Sequence, residues 1–536
     1  MGRLRALRAF PAVISFVVFT MLFCAAGASI AAPPESRPAS EPSTLPSSGA
    51  STAPSHTKDG GEDKLSVTEH SVVVGGQTIN YQATAGTLLM KDEAGKPRAN
   101  FFFVAYTRQP SADPRSRPIT FIFNGGPGAA AVWLHLGAAG PMRVALRDNG
   151  MPGAPPHGLV TNDQSWLDLS DLVFIDPVGT GYSRPVEGQK AEDFWGVQQD
   201  IDSVGDFIRL YLTRYQRWNS PKFLAGESYG TTRAAGLSAH LLNRYGIDLN
   251  GIILISTVLN FETLSPANGN DLPYELYLPS FTAIALFHHR LKTDNEDALL
   301  AEVSKYATGP YATALAKGGA LTPAERADVV AQLSKYTSLP AETIDRANLR
   351  IDPGFFRKRL LGDQKLIIGR FDARVTGLDP EPTDENADYD PSQGRYLAVY
   401  SGAFNDYVRR ELKYESDLNY EVLSGKVRWD FGRGGEGYLD VTGALRSAML
   451  DNPNLKILVC SGYEDLATPF LATNYTFDRL DLTDRLQANV TQTYYHSGHM
   501  IYHDSISRQK LKRDITTFII MAAGKLPTAT QPAPGQ

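Results

Sequence analysis

The chain has 536 residues, 42% of them hydrophobic and 21% charged, with 52 basic and 58 acidic side chains for a formal net charge of −6. That composition excludes a wholly disordered chain, and the mild acidity excludes a general nucleic-acid binder, which needs a basic face. Two cysteines, Cys24 and Cys460, exclude a disulfide-stapled scaffold and a cysteine-rich metal module.

Arg3, Arg5 and Arg8 precede an uncharged, mostly apolar run from Phe10 to Ala26, and small residues follow to position 31. A basic start, an apolar core and a small-residue exit compose an export signal, assigned to 1–31. The competing reading is a retained anchor, because Ala9 to Ala32 is long enough to span a membrane. Removing this segment takes away three arginines and no acids, which moves the net charge from −6 to −9 and leaves Cys460 as the single cysteine. Residues 32–63 are rich in Pro, Ser and Ala and hold no large apolar run. They bury too little surface to offset the entropy of ordering and read as a linker, as does the tail 527–536.

Short apolar runs then recur. The stretch 66–106 alternates apolar and polar residues, as antiparallel strands do. Runs at 119–123, 172–175, 222–225, 252–255, 456–459 and 491–495 are continuous and suit strands buried on both faces. Helix-like spacing separates them. Phe194, Val197, Ile201, Val204, Ile208, Tyr211 and Tyr215 step mostly by three or four, and 504–523 repeats the pattern. Strand–helix alternation predicts an α/β fold with a mostly parallel sheet. Residues 262–430 break the rhythm, with helix-like segments such as 325–335 and 355–361. They read as a helical cap inserted between two core halves, 64–261 and 431–526.

Gly226-Glu-Ser-Tyr-Gly230 follows one strand run and precedes a helical stretch. This Gly-x-Ser-x-Gly turn in a strand–turn–helix setting predicts Ser228 as a nucleophile, exposed on a strained elbow. A serine nucleophile needs a base and an orienting acid, which follow in the chain order Ser, Asp or Glu, His. Asp465 sits in the loop after the 456–459 run, with Glu464 as its rival. His499 lies in a Ser-Gly-His-Met turn before the last helix, flanked by His496 and His503. The three histidines also permit a metal cluster, though no second zinc motif accompanies them. Phe123-Asn-Gly-Gly-Pro-Gly128 follows an early strand, and its amides, with the amide after the nucleophile, suit an oxyanion hole.

Five segments in order carry a resemblance: Asn124-Gly-Gly-Pro-Gly128, Ser165-Trp166, Asp176-Pro-Val-Gly-Thr-Gly-Tyr-Ser183, Gly226-Glu-Ser-Tyr-Gly230 and Gly498-His-Met500. In them the chain resembles the serine carboxypeptidases, peptidase family S10. The resemblance implies an α/β-hydrolase fold with Ser228 as nucleophile, His499 as base and Asp465 as orienter. It implies Gly126 and Tyr229 as oxyanion donors, and Asn124 and Glu227 as holders of a peptide's free carboxylate. It also puts Tyr182 and Met500 in the leaving-residue pocket. Two departures stand out. The family's second acid, in a Glu-Leu-Gly-Pro run, is Ala138 in Ala-Ala-Gly-Pro, and the family's disulfides are impossible with one mature cysteine.

The expected function is therefore an exported serine carboxypeptidase. An esterase or acyltransferase with the same triad is the alternative, and a catalytically silent binding protein is the non-enzyme alternative. The expected partner is a peptide or small acyl substrate. No nucleic acid, no cofactor, no metal and no stable membrane insertion after signal cleavage are expected.

Overall fold

A computed structural model describes residues 63–110, 113–431 and 437–524. The sequence-assigned export segment, nearly all of the linker and the C-terminal tail lie outside these residues.

The first strands form an antiparallel meander: β1 (Lys64–Val74), β2 (Gln77–Lys91) and β3 (Pro97–Gln109). Gly75 and Gly76 join β1 to β2 with φ of 55° and 79°. A two-residue hairpin turn that follows the strand twist needs positive φ at both positions, which glycine adopts without strain. Six further strands follow: β4 (Ile119–Phe123), β5 (Asp171–Ile175), β6 (Lys222–Ser228), β7 (Gly251–Thr257), β8 (Lys456–Gly462) and β9 (Val490–Tyr495). The order across the sheet is β1-β2-β3-β5-β4-β6-β7-β8-β9, with the two-residue strand Arg184–Pro185 also paired to β3. β5, β4, β6, β7, β8 and β9 are mutually parallel. This is the α/β-hydrolase arrangement, with an extra strand on the antiparallel edge.

Alternation decides which layer each strand residue joins. On β7, Ile252 and Leu254 pack with Ile201, Val204 and Ile208 of α1 (Val197–Arg214) and Leu237 and Leu241 of α2 (Tyr229–Tyr245). Ile253 and Ile255 face the other way, into a cluster with Leu511, Ile515 and Phe518 of the C-terminal helix, Ser505–Ala523. Both faces are covered, so these strands read as unbroken apolar runs. Among the described residues no helix is long and apolar enough to cross a membrane.

The helices between β7 and β8 do not pack as one unit. α3 (Leu272–Phe287), α4 (Glu296–Tyr306) and α5 (Pro323–Thr337) share a core of their own, including Leu276, Phe281, Val303 and Leu333. Thr322 and Glu325 close a reciprocal capping box at the start of α5, with Pro323 at its first position. By contrast, Tyr396, Val399, Tyr400 and Phe404 of α6 (Pro391–Arg410) belong to the main core. A short hairpin, Leu366–Ile368 with Thr376–Leu378, lies between the two groups in sequence.

Candidate active site

Ser228 is the last residue of β6 and immediately precedes α2, with φ 60° and ψ −131°. A non-glycine residue in that region is strained, and such strain is tolerated where the surroundings over-determine it. Here the surroundings are tight. A Cβ on Gly226 would lie 2.2 Å from the Gly230 carbonyl oxygen, and a Cβ on Gly230 would lie 2.9 Å from the Phe123 carbonyl oxygen. Both flanking positions therefore require glycine, and the turn lifts Ser228 into a cavity at the carboxyl end of the sheet.

The loop after β8 supplies Asp465, which is fully buried. Its Oδ1 accepts hydrogen bonds from the Ala467 and Thr468 amides at 2.7 and 3.0 Å. Its Oδ2 accepts from the Thr468 hydroxyl at 2.6 Å and from His499 Nδ1 at 2.8 Å. With Nδ1 engaged, the other ring nitrogen of His499 is left for the cavity that both His499 and Ser228 line. Burial alone would push the imidazole's pKa down. The charge and hydrogen bond of Asp465 overcome that penalty and leave it raised above 6.5.

The hairpin segment braces both loops. The His499 amide donates to the Phe371 carbonyl at 2.5 Å, and the Leu466 amide donates to the Arg370 carbonyl at 3.0 Å. Arg374 donates to the His496 carbonyl at 3.0 Å and the Ser497 hydroxyl at 3.1 Å while paired with Asp372 at 2.8 Å. A Cβ on Gly498 would sit 2.4 Å from the Phe371 carbonyl oxygen, so glycine is what lets the two segments approach.

Asn124 and Glu227 meet in the same cavity. Asn124 donates to Glu227 Oε1 at 2.9 Å and accepts from the Leu134 amide at 3.0 Å. The Asn124 backbone carbonyl accepts from Arg233 at 2.6 Å, and Arg233 is itself buried and paired with Asp200. Glu227 Oε2 is buried without a well-formed hydrogen bond, beside the Tyr502 hydroxyl. Burial raises the Glu227 carboxyl to about 7, against smaller opposing effects of His499, Tyr502 and Asn124. Gly126 and Tyr229 line the same cavity. A Cβ on the intervening Gly125 would fall 2.4 Å from the Tyr229 amide nitrogen, so the glycine-rich turn lies directly against the start of α2.

The structure thus brings Ser228, His499, Asn124, Glu227, Gly126, Tyr229 and Met500 to one cavity, with Asp465 behind His499. Tyr182 needs correction. It does not line this cavity. Its ring packs against Phe102 and Tyr420 at 5.1 and 4.9 Å, inside the core. A Cβ on the preceding Gly181, at φ 48°, would overlap the Asp176 carboxylate, so that turn requires glycine. Glu464 faces His496 at 3.8 Å rather than His499, and His503 bonds the Tyr400 hydroxyl at 2.9 Å, so the three histidines do not converge. Ala138 is buried in a short helix, and rings of Tyr502 and Tyr400 press on the adjacent Gly137. Sequence reasoning missed Trp133, Arg370, Phe371, Gln393 and Tyr396, which also line the cavity. Trp133 follows the glycine-rich turn closely enough to have been inferred. The other four lie between β7 and β8 in sequence, where no motif marks them.

The family model described as serine carboxypeptidase matches residues 75–534. The chain belongs to the serine carboxypeptidase family. It is 28% identical over 214 residues to the pheromone-processing carboxypeptidase KEX1 of Arthroderma otae, covering 38% of this chain and 30% of that protein. It is 30% identical over 213 residues to serine carboxypeptidase-like 45 of Arabidopsis thaliana, covering 37% and 42%. The matched stretches thus span less than half of either relative. Among solved structures, a prohormone-processing carboxypeptidase from Saccharomyces cerevisiae aligns with a TM-score of 0.47 and 17% identity, covering 82% of this chain and 91% of that one. Among the described residues of this carboxypeptidase-family chain, Cys460 is a free, buried thiol.

Proposed function

We propose that this protein is an exported serine carboxypeptidase that releases C-terminal residues from peptides through an acyl-enzyme. The observation that carries the reading is one cavity joining Ser228 and the Asp465-oriented His499 to the buried Asn124–Glu227 pair. His499 Nε2 takes the Ser228 hydroxyl proton as Oγ attacks the scissile carbonyl carbon. The Gly126 and Tyr229 amides donate to the oxyanion. The C–N bond breaks, and the leaving amine receives the proton from His499. Water, deprotonated by the same imidazole, then hydrolyses the Ser228 ester.

Exopeptidase selectivity comes from the Asn124–Glu227 pair. Near its raised pKa, Glu227 is substantially protonated at neutral and mildly acidic pH, so it donates to a free carboxylate that an ionised Glu227 would repel. Asn124 is the second donor, and Met500 lines the space for the leaving residue. The group of helices α3, α4 and α5 within 262–430 acts as the cap, and residues 1–31 act as the export signal. The direct test compares a peptide with its C-terminally amidated form by mass spectrometry. Sharply slower cleavage of the amide is expected, and equal rates would refute the reading. The second reading is an esterase or acyltransferase, favoured by Ala138 at the position of the family's second acid. It predicts fast turnover of a small ester and none of an N-blocked dipeptide at both mildly acidic and neutral pH.

A further inference from the structure

Apart from His499, Arg370 is the one basic side chain that lines the cavity among the described residues. Most of the remaining wall is apolar or aromatic, including Trp133, Phe261, Leu264 and Leu423. Other cations on the same segment are neutralised locally. Lys358 pairs with Asp379, and Arg374 pairs with Asp372. No described carboxylate forms an ion pair with Arg370. Asp390 engages the backbone of Arg370, its Oδ1 accepting from the Arg370 amide at 3.1 Å and the Ser392 amide at 2.9 Å. The Arg370 guanidinium instead lies over the Phe371 ring at 5.3 Å, and that ring stands 5.2 Å from His499. The backbone beneath it is fixed, because its carbonyl is bonded to the Leu466 amide. Its charge reaches the His499 ring, where it opposes protonation.

A guanidinium with no ion-pair partner on a largely apolar substrate wall selects for a carboxylate. We propose that Arg370 reads an acidic side chain on one of the two residues joined by the scissile bond, so that the preferred substrates carry Asp or Glu there. The inference rests on the carboxypeptidase reading for its substrate class. It separates Arg370 from the terminal carboxylate, which is left to Asn124 and Glu227.

The test uses N-blocked dipeptides that differ only as Glu against Gln, placed in turn at the acyl and the leaving position, with the full-length protein at mildly acidic pH. Glu is expected to exceed Gln in kcat/KM by about fivefold at one of the two positions, the scale of a partly exposed ion pair. Arg370→Gln is expected to bring that ratio to about one, and Arg370→Glu to shift preference toward Lys. A ratio near one in the native protein overturns the proposal. So does a ratio that survives Arg370→Gln, even if that variant slows every substrate, which would assign Arg370 to the terminal carboxylate. If no dipeptide is cleaved, the carboxypeptidase reading fails, and Arg370 is judged by competitive inhibition of small-ester hydrolysis. Stronger inhibition by N-blocked glutamate than glutamine, lost in Arg370→Gln, supports it, and equal inhibition overturns it.

Discussion

Replacing Glu227 by Gln is the sharpest perturbation of the proposed carboxylate site. The Glu227 carboxyl is raised from 4.5 to about 7, chiefly by burial. That shift corresponds to about 3 kcal/mol against the ionised form in the folded protein. Productive binding of a free carboxylate needs the protonated form, which is lost as pH rises through about 7. Above that point each pH unit removes about tenfold of the competent enzyme. Deprotonation of His499, which the chemistry needs, affects peptides and small esters alike. The ratio of peptide to ester kcat/KM therefore isolates Glu227. It is expected to be flat on the acid side and to fall about tenfold per unit on the alkaline side. In Glu227→Gln the amide donates at every pH, and the fall should vanish. Stability supplies a second readout. A raised folded-state pKa means that the contribution is intact below the unfolded value of 4.5 and is lost as pH rises to about 7. Denaturant titrations should show Glu227→Gln gaining on the native protein across that window, by up to about 3 kcal/mol. A pH-independent ratio, or an alkaline fall that persists in Glu227→Gln, would refute the reasoning.

Four further outcomes follow from the geometry. Ser228→Ala should abolish labelling by a fluorophosphonate and lower turnover by at least about a thousandfold, and retained labelling would remove Ser228 from its role. Asp465→Asn should lower kcat by about 10⁴, because the amide no longer fixes the His499 tautomer, and should move the acid limb of the ester profile downward. Gly498→Ala should lower kcat by about a hundredfold with little change in far-UV circular dichroism, since a Cβ 2.4 Å from the Phe371 carbonyl oxygen displaces the histidine loop. Asp200→Ala leaves the buried Arg233 charge unpaired and should cost about 3–5 kcal/mol in urea unfolding.

Much of this site was legible before folding. The runs at 119–123 and 222–225 read as strands because both faces are buried and most of their residues are apolar. The elbow at Ser228 was legible because its two glycines answer a steric demand that leaves a mark on the sequence. The same holds for Gly498. Tyr182 was misplaced for the converse reason. It lies in a motif-bearing loop, yet its ring packs against Phe102 and Tyr420, far away in the chain. The stretch between β7 and β8 was legible only as a helix-rich interruption of the strand rhythm. Nothing in its periodicity distinguishes α3, α4 and α5, which pack on one another, from α6, which enters the main core.

The sequence by itself determined the local chemistry: which residues can attack, which can accept a proton, and where glycine must stand. These are properties of one turn and its neighbours, so a few adjacent positions encode them. Tertiary structure alone decided what faces what. It set Asp465 rather than Glu464 against His499, placed Tyr502 beside Glu227 near Ala138, and brought Arg370, Phe371, Gln393 and Tyr396 to a cavity whose nucleophile lies more than a hundred positions earlier. Contacts across such separations depend on how layers pack, and no local pattern records them.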